Sequence, residues 1–300
     1  MSDGGGRPAP ETAHAVDARI EGWFAERGWQ IFDFQRETWA ACAAGESGLI
    51  HAPTGTGKTL AAWFAAVGDW LNRAEDDGIT PGLTVLWITP LRALAADTTA
   101  HLAASAAELG LNWTVERRTG DTASSVKARQ RRRLPSALVT TPESLALLLS
   151  YAEHERLFAS LDVVVVDEWH ELLSTKRGVA LELCLARLRA LRPGLRTWGL
   201  SATLANLEQA RDALTGGAPG RLVRGMTPAA THIDALVPET IERFPWAGHL
   251  GTRLVQPVIE ALEAAESTLL FTNTRAQAEL WHQAILRARP DWLARVALHH

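Results

Sequence analysis

Cysteine, lysine and long apolar runs are scarce in this 300-residue chain. Its two cysteines, Cys42 and Cys184, lie far apart without the spacing of a zinc cage or a disulfide framework. That excludes a disulfide-stapled fold and fits a reducing compartment, with both thiols as buried structural groups. No stretch approaches the ~20 apolar residues of a membrane span, and residues 1–11 have no apolar core that would mark a signal segment. The expectation is a soluble, cytoplasmic protein with no membrane partner. A basic excess is missing too: 30 Lys and Arg face 34 Asp and Glu for a net charge of −4. The halves are balanced alike, with 14 basic and 17 acidic groups in the first 150 residues and 16 and 17 in the last, so any polyanion must be bound locally. Among the charged side chains lysine is scarcest, three against 27 arginines, as in a GC-rich, alanine-rich coding sequence. A lysine kept inside a motif therefore stands out, and Lys58 is one.

What is present reads as globular: 47% apolar and 21% charged residues in a chain long enough for one to two domains. Residues 1–14 are expected to be a disordered tail and order to begin near residue 15. Short β-branched or apolar runs at 48–52, 83–89, 137–141, 161–167 and 197–201 alternate with helical patterns, which predicts five parallel strands in a three-layer α/β domain over 15–225. Gly, Pro and Thr then interrupt the periodicity, and 226–247 reads as a linker. Beyond it the pattern predicts a helix at 250–265, a strand at 267–272, a helix at 275–289 and a strand at 294–299. Two strands and two helices do not close a parallel α/β domain, so 248–300 is expected to be part of a second one, cut within it.

The strongest motif is Ala52, Pro53, Thr54, Gly55, Thr56, Gly57, Lys58 and Thr59, between a predicted strand and an amphipathic helix. Glycines there let successive N–H groups point at phosphates, the helix N-terminus adds positive potential, Lys58 reaches the β/γ-phosphates and the Thr59 hydroxyl suits magnesium. Ala52 departs from the general pattern, which begins with glycine. A purely structural turn is the competing reading, disfavoured by Gly-Lys-Thr in the strand–loop–helix context. A second signal is Asp167 and Glu168, adjacent carboxylates closing the run Val163, Val164, Val165, Val166 at a carboxyl sheet edge, where open α/β sheets bind ligands. Asp167 suits magnesium, and Glu168 suits deprotonation of a water attacking the γ-phosphate. Alone, such a pair is more often a solvated loop or a helix cap; the phosphate loop upstream tips the balance.

These motifs, with Trp169 and His170 after the carboxylates and Ser201, Ala202 and Thr203 downstream, resemble the superfamily 2 DExH-box helicases. Further segments match that family in order and spacing: 89–94 (with Pro90 and Arg92), 119–122 (Gly120 and Asp121), 140–144 (Thr141 and Pro142) and 269–275 (Thr274 and Arg275). The detail most resembles the bacterial ligase-associated DNA helicases of the large-helicase-related group, over roughly residues 20–300. The resemblance implies a RecA-like phosphate-loop NTPase domain and the start of a second, with ATP and Mg2+ as cofactors. It implies Gln35 at the adenine, Thr54 to Thr59 around the phosphates, Lys58, Asp167 and Glu168 as the catalytic set, and Thr59 and Asp167 at the metal. His170, Ser201 and Thr203 would couple nucleotide state to domain closure. Pro90, Arg92, Gly120, Asp121, Thr141, Pro142, Thr274 and Arg275 would line a backbone-reading track for nucleic acid.

For the whole protein the resemblance implies a monomeric ATP-driven translocase on single-stranded or partly duplex DNA, moving 3′ to 5′ in DNA repair. An ATP-dependent DNA ligase and a nuclease-like phosphoesterase are its implied partners. Two alternatives stay open: a nucleotide- and DNA-binding fragment with little turnover, because the family's arginine finger lies beyond residue 300, and a motor whose track is RNA. Phe32 or Trp29 would stack the adenine, with a hydrophobic staple as an equal alternative. The basic run 127–133 reads as solvated surface rather than a contact. Trp39, Trp63, Trp70, Trp87 and Trp198 sit in core patterns, while Trp169 is undecided between core and site.

Overall fold

A computed structural model describes residues 18–73, 80–225, 233–236 and 254–299. The expected tail at 1–14, and the expected linker at 226–247 apart from 233–236, lie outside the described residues. The chain divides into two compact units, Met1–Pro228 and Ala229–His300.

In the first unit, α1 (Ala18–Ala25) and α2 (Asp33–Ala43) precede β1 (Gly48–His51) and α3 (Lys58–Arg73). Next come β2 (Val85–Ile88), α4 (Arg92–Glu108), β3 (Val115–Arg118), α5 (Ser124–Arg132), β4 (Ala137–Thr140), α6 (Pro142–Leu149), α7 (His154–Leu157) and β5 (Val163–Val166). The unit closes with α8 (Trp169–Leu172), α9 (Lys176–Leu191), β6 (Arg196–Ser201), α10 (Leu207–Thr215) and β7 (Arg221–Arg224). All seven strands pair in parallel, in the order β3-β4-β2-β5-β6-β1-β7. The five expected strands are present, joined by β3 and β7 at the two edges. Edge position explains why their sequences did not announce them: Val-Glu-Arg-Arg and Arg-Leu-Val-Arg carry charge where the central strands β2 and β5 are wholly apolar.

Alternation along the inner strands builds two buried layers. Val85, Trp87, Val163 and Val165 face Trp39, Trp63 and Phe64 of α2 and α3. Leu86, Ile88, Val164 and Val166 face Leu145, Trp169, Leu181 and Leu185 of α6, α8 and α9. Each such side chain removed from water contributes roughly 1.5–3 kcal/mol, so the register of β2, β5 and β6 is held firmly and their carboxyl ends are fixed relative to one another.

The second unit holds α11 (Val255–Glu263), α12 (Arg275–Ala288) and a 3₁₀ turn at Pro290–Trp292, packed through Ile259, Ile285 and Trp292. The strands expected at 267–272 and 294–299 are not formed: among the described residues these segments have no ladder partner, and Leu269 and Phe271 stand 81% and 85% exposed. Apolar alternation supplies a strand's faces, but its backbone groups still need a neighbouring strand.

Candidate functional site

The loop after β1 turns on Gly55 and Gly57, whose φ of +81° and +87° lie in the left-handed region open to glycine. A Cβ at Gly57 would come within 2.8 Å of Gln35 Nε2. Lys58 opens α3, is buried, and donates from Nζ to the carbonyls of Ala52 (2.6 Å) and Pro53 (2.8 Å), so the loop curls round its own cation. Burial lowers the Lys58 pKa from its ordinary value, opposed by the charges of Glu168 and Asp167. Thr56 Oγ1 donates to Pro53 O at 2.7 Å. Thr54 and Gly55 are exposed, and Thr59 is half-buried one residue into the helix.

Ala52 is tolerated at the position where glycine is usual because Gly225, just past β7, faces it. A Cβ at residue 225 would fall 2.3 Å from that of Ala52. Gln35, the third residue of α2, is buried: its Oε1 accepts from Phe32 N (2.9 Å) and its Nε2 donates to Gly57 O (3.2 Å). The structure thus places it as a brace between α2 and the phosphate loop. Phe32 stacks on Phe34, whereas Trp29 is 53% exposed and meets Trp23 edge-on.

Asp167 follows β5 and Ser201 ends β6, the strand lying between β5 and β1. Parallel register therefore brings carboxylates, hydroxyl and phosphate loop to one edge. Asp167 Oδ1 accepts from Glu168 N at 3.0 Å, and its Oδ2 accepts from Trp87 Nε1 at 3.3 Å. Burial first, then the charge of Glu168, push the Asp167 carboxyl up to about 6, against the pull of Trp87, the Glu168 N–H and Lys58. Glu168 adopts φ +45°, left-handed and strained for a residue with a side chain. That turn starts α8, where His170 Nδ1 lies 3.5 Å from Glu168 Oε2 and 3.3 Å from Ser201 Oγ. Thr203 is exposed two residues on.

Trp87 was expected only in the core; it is there, but its N–H also reaches Asp167, a contact no local pattern announces. Trp169 is settled as core: it is fully buried, with Nε1 donating to Ala210 O at 2.9 Å.

The segments expected along a nucleic-acid track are cross-tied. Arg92 pairs with Asp121 at 2.9 Å, and Lys127 Nζ donates to Gly120 O at 2.7 Å. Thr141 and Pro142 are buried at the start of α6, where the Thr141 hydroxyl accepts from Ser144 N. Arg177, missed by sequence reasoning, is the second residue of α9 and grips two of these segments: Nε donates to Glu143 Oε1 (2.5 Å) and Nη2 to Pro90 O (2.8 Å). The other arginines of the run 127–133 mostly meet the protein's own groups, as in Arg129 with Glu116 and Arg131 with Glu153 and over the Tyr151 ring. In the second unit, Thr274 caps α12 by accepting from Gln277 N, and Arg275 pairs with Glu279 at 3.3 Å, exposed.

A parallel sheet whose carboxyl edge carries a glycine loop opening a helix, with two acids on a nearby strand end, defines a phosphate-loop nucleotide-binding domain of RecA-like fold. Residues 32–210 match the DEAD/DEAH box helicase family, and the chain belongs to that family. It is similar to the helicase Lhr of Mycobacterium smegmatis, solved bound to ssDNA and AMP-PNP (TM-score 0.74, 30% identity, 94% of this chain and 37% of that one). It is also similar to the ATP-dependent helicase Lhr-Core protein 2 of Thermococcus barophilus, 31% identical over 94% of this chain and 34% of the relative. The Lhr helicase/probable uracil glycosylase of Mycolicibacterium smegmatis is 36% identical over 86% of this chain and 18% of its own length. The chain thus spans about a third or less of the curated relatives it matches. The resemblance read from the motifs is borne out at the level of Lhr-type relatives.

Proposed function

We propose that the chain is the nucleotide-hydrolysing part of an ATP-driven motor that moves along single-stranded DNA. The observation that carries this reading is the meeting of Lys58 with Asp167 and Glu168 across one sheet edge, where the two carboxylates act on the Lys58 charge and Glu168 and Lys58 act on Asp167, with His170 and Ser201 directly behind. Lys58 and the N–H groups of Thr54 to Thr59 bind the phosphates, and Gln35 holds the loop in shape and meets the adenine. Glu168 orients the attacking water and takes its proton on a carboxylate oxygen.

Thr59 and Asp167 would hold a magnesium ion, which when bound neutralises charge on the phosphates. The donor set fits: a hydroxyl and a carboxylate leave room for the phosphate oxygens and waters such a cation keeps. Among the described residues no three His, Cys, Asp or Glu side chains form a metal cage of their own. A buried acid beside a second carboxylate is also a place where positive charge is favoured.

His170, Ser201 and Thr203 pass the nucleotide state onward. Pro90, Arg92, Gly120, Asp121, Thr141 and Pro142 line the strand's path, with Thr274 and Arg275 from the second unit. Domain limits of 15–225 and 248–300, movement 3′ to 5′, a cytoplasmic monomer, and repair work beside a ligase and a nuclease-like phosphoesterase rest on the family resemblance. Because the chain covers 34% of a relative's length, little turnover by these 300 residues alone is the second reading. The test is ATP hydrolysis with and without single-stranded DNA or matched RNA, for this chain, the full-length gene product and its Glu168→Gln variant. DNA-stimulated turnover that Glu168→Gln abolishes is expected. ATP binding with no response to DNA would refute the motor, and preference for RNA would move the track.

A further inference from the structure

His51 is a half-buried titratable residue that the chemistry above leaves unused. It ends β1, directly before the phosphate loop, and its Nδ1 is buried without a hydrogen-bond partner among the described residues. Such orphaned atoms are few in native structures and call for a cause. Register sets His51 opposite Ser201 of β6 on one side and Arg224 of β7 on the other. Residues opposite in a ladder turn to the same face, and this face is the one α8 covers, since Leu49, two residues earlier, packs in the layer of Trp169 and Leu172. Burial, then Arg224, Lys58 and His170, hold the His51 pKa below its ordinary value, so the ring is neutral at physiological pH with one nitrogen able to accept.

Ser201 has a single hydroxyl hydrogen. Its Oγ lies 3.3 Å from His170 Nδ1, and that nitrogen is also 3.5 Å from Glu168 Oε2, so one ring nitrogen stands between two oxygens at the long limit of hydrogen bonding. Bare, His170 Nδ1 accepts from Ser201; once it carries the ring hydrogen and gives it to Glu168 it can no longer accept, and the Ser201 hydrogen needs another acceptor. We propose that His51 is a positioning residue of the coupling element, its Nδ1 being the alternate acceptor for the Ser201 hydroxyl, taken up when His170 engages Glu168. The exchange ties the carboxylate at the nucleotide to the strand end where the phosphate loop begins. The backbone is already laced across the same three strands: Ala52 N donates to Ser201 O (3.1 Å) and Gly225 N to His51 O (2.8 Å). A change at Ser201 therefore reaches Arg224 and Gly225, where β7 ends.

This inference rests on the ATP-hydrolysis reading. The test is DNA-stimulated ATP hydrolysis by the full-length gene product in wild-type form and as His51→Leu, His51→Asn, Ser201→Ala and the His51→Leu/Ser201→Ala double variant, with a thermal melt of each. His51→Leu should lower the stimulated kcat about tenfold while KM for ATP moves less than about threefold, the size of ordinary site-to-site coupling. His51→Asn, whose Oδ1 replaces the accepting nitrogen, should restore most of the rate. The double variant should be no slower than the slower single one, because the two groups act as a unit. Multiplying losses in the double variant, an Asn variant as slow as Leu, or a Leu variant with wild-type stimulation would each overturn the proposal. A wild-type protein that hydrolyses no ATP would overturn the underlying reading with it, and is told apart because no variant is needed to see it.

Discussion

Asp167→Asn should make the nucleotide-free protein more stable at neutral pH. In the folded state the carboxyl is pushed from 3.8 up to about 6, chiefly by burial and then by Glu168. Ionising it there costs the fold about 3 kcal/mol. The sign is that of an acid whose pKa is raised on folding: the cost is complete above about pH 6, shrinks as pH falls from there, and vanishes below 3.8. Asparagine removes the charge, but its amide cannot accept from both Trp87 Nε1 and Glu168 N as the carboxylate does, which offsets about 1 kcal/mol of the gain. A net gain of about 2 kcal/mol remains at pH 7.5, or roughly 4–8 °C in Tm for a unit of this size. Scanning calorimetry of both proteins at pH 7.5 and pH 4, without nucleotide or divalent cation, checks it. A variant that melts lower at pH 7.5, or whose gain persists undiminished at pH 4, would refute the reasoning that burial of this charge is costly.

Trp87→Phe keeps the packing but deletes the N–H on Asp167, so the acidic limb of the pH–rate profile for ATP hydrolysis should move up by about one unit; an unmoved limb would show that the contact does not tune the acid. Arg177→Lys loses the fork that joins Glu143 and Pro90 O, and affinity for single-stranded DNA, read by fluorescence anisotropy, should fall roughly tenfold while nucleotide affinity holds. Equal losses in both affinities would mean a damaged fold instead. Gly225→Ala sets a methyl 2.3 Å from that of Ala52 and should cost about 1–3 kcal/mol in denaturant melts, whereas Gly225→Ala made together with Ala52→Gly should recover most of it.

The sheet's inner strands could be read along the chain because burial on both faces leaves uninterrupted apolar runs, Val163 to Val166 being the plainest. The phosphate loop and the carboxylate pair were legible for a related reason: each is a local string whose chemistry needs adjacent residues. Edge strands β3 and β7 escaped because charge at an edge is compatible with pairing on one side only. The segment at 267–272 misled in the opposite direction, its apolar content being real and its ladder partner lacking among the described residues. Trp87 with Asp167, Gly225 with Ala52, Arg177 with Pro90 and His51 with Ser201 were illegible because each joins positions tens of residues apart. Only strand order decides such meetings, and no window of sequence contains it.

Lys58, Lys127 and Lys176 are the whole stock of side-chain amines in the chain, so acylating reagents have three such targets, which peptide mapping tells apart because the three lie far apart in sequence. Lys58 is buried with a lowered pKa and carries more free amine at neutral pH than an ordinary lysine, which makes it reactive toward any acyl donor that reaches the loop and shielded once phosphates sit there. Lys127 holds the Gly120 carbonyl on the proposed track, and Lys176 stands exposed at the start of α9. The arginine-rich composition thereby leaves the protein with a built-in set of chemical footprints: one amine at the proposed nucleotide site, one beside the proposed track, and one as the solvent-exposed reference for both.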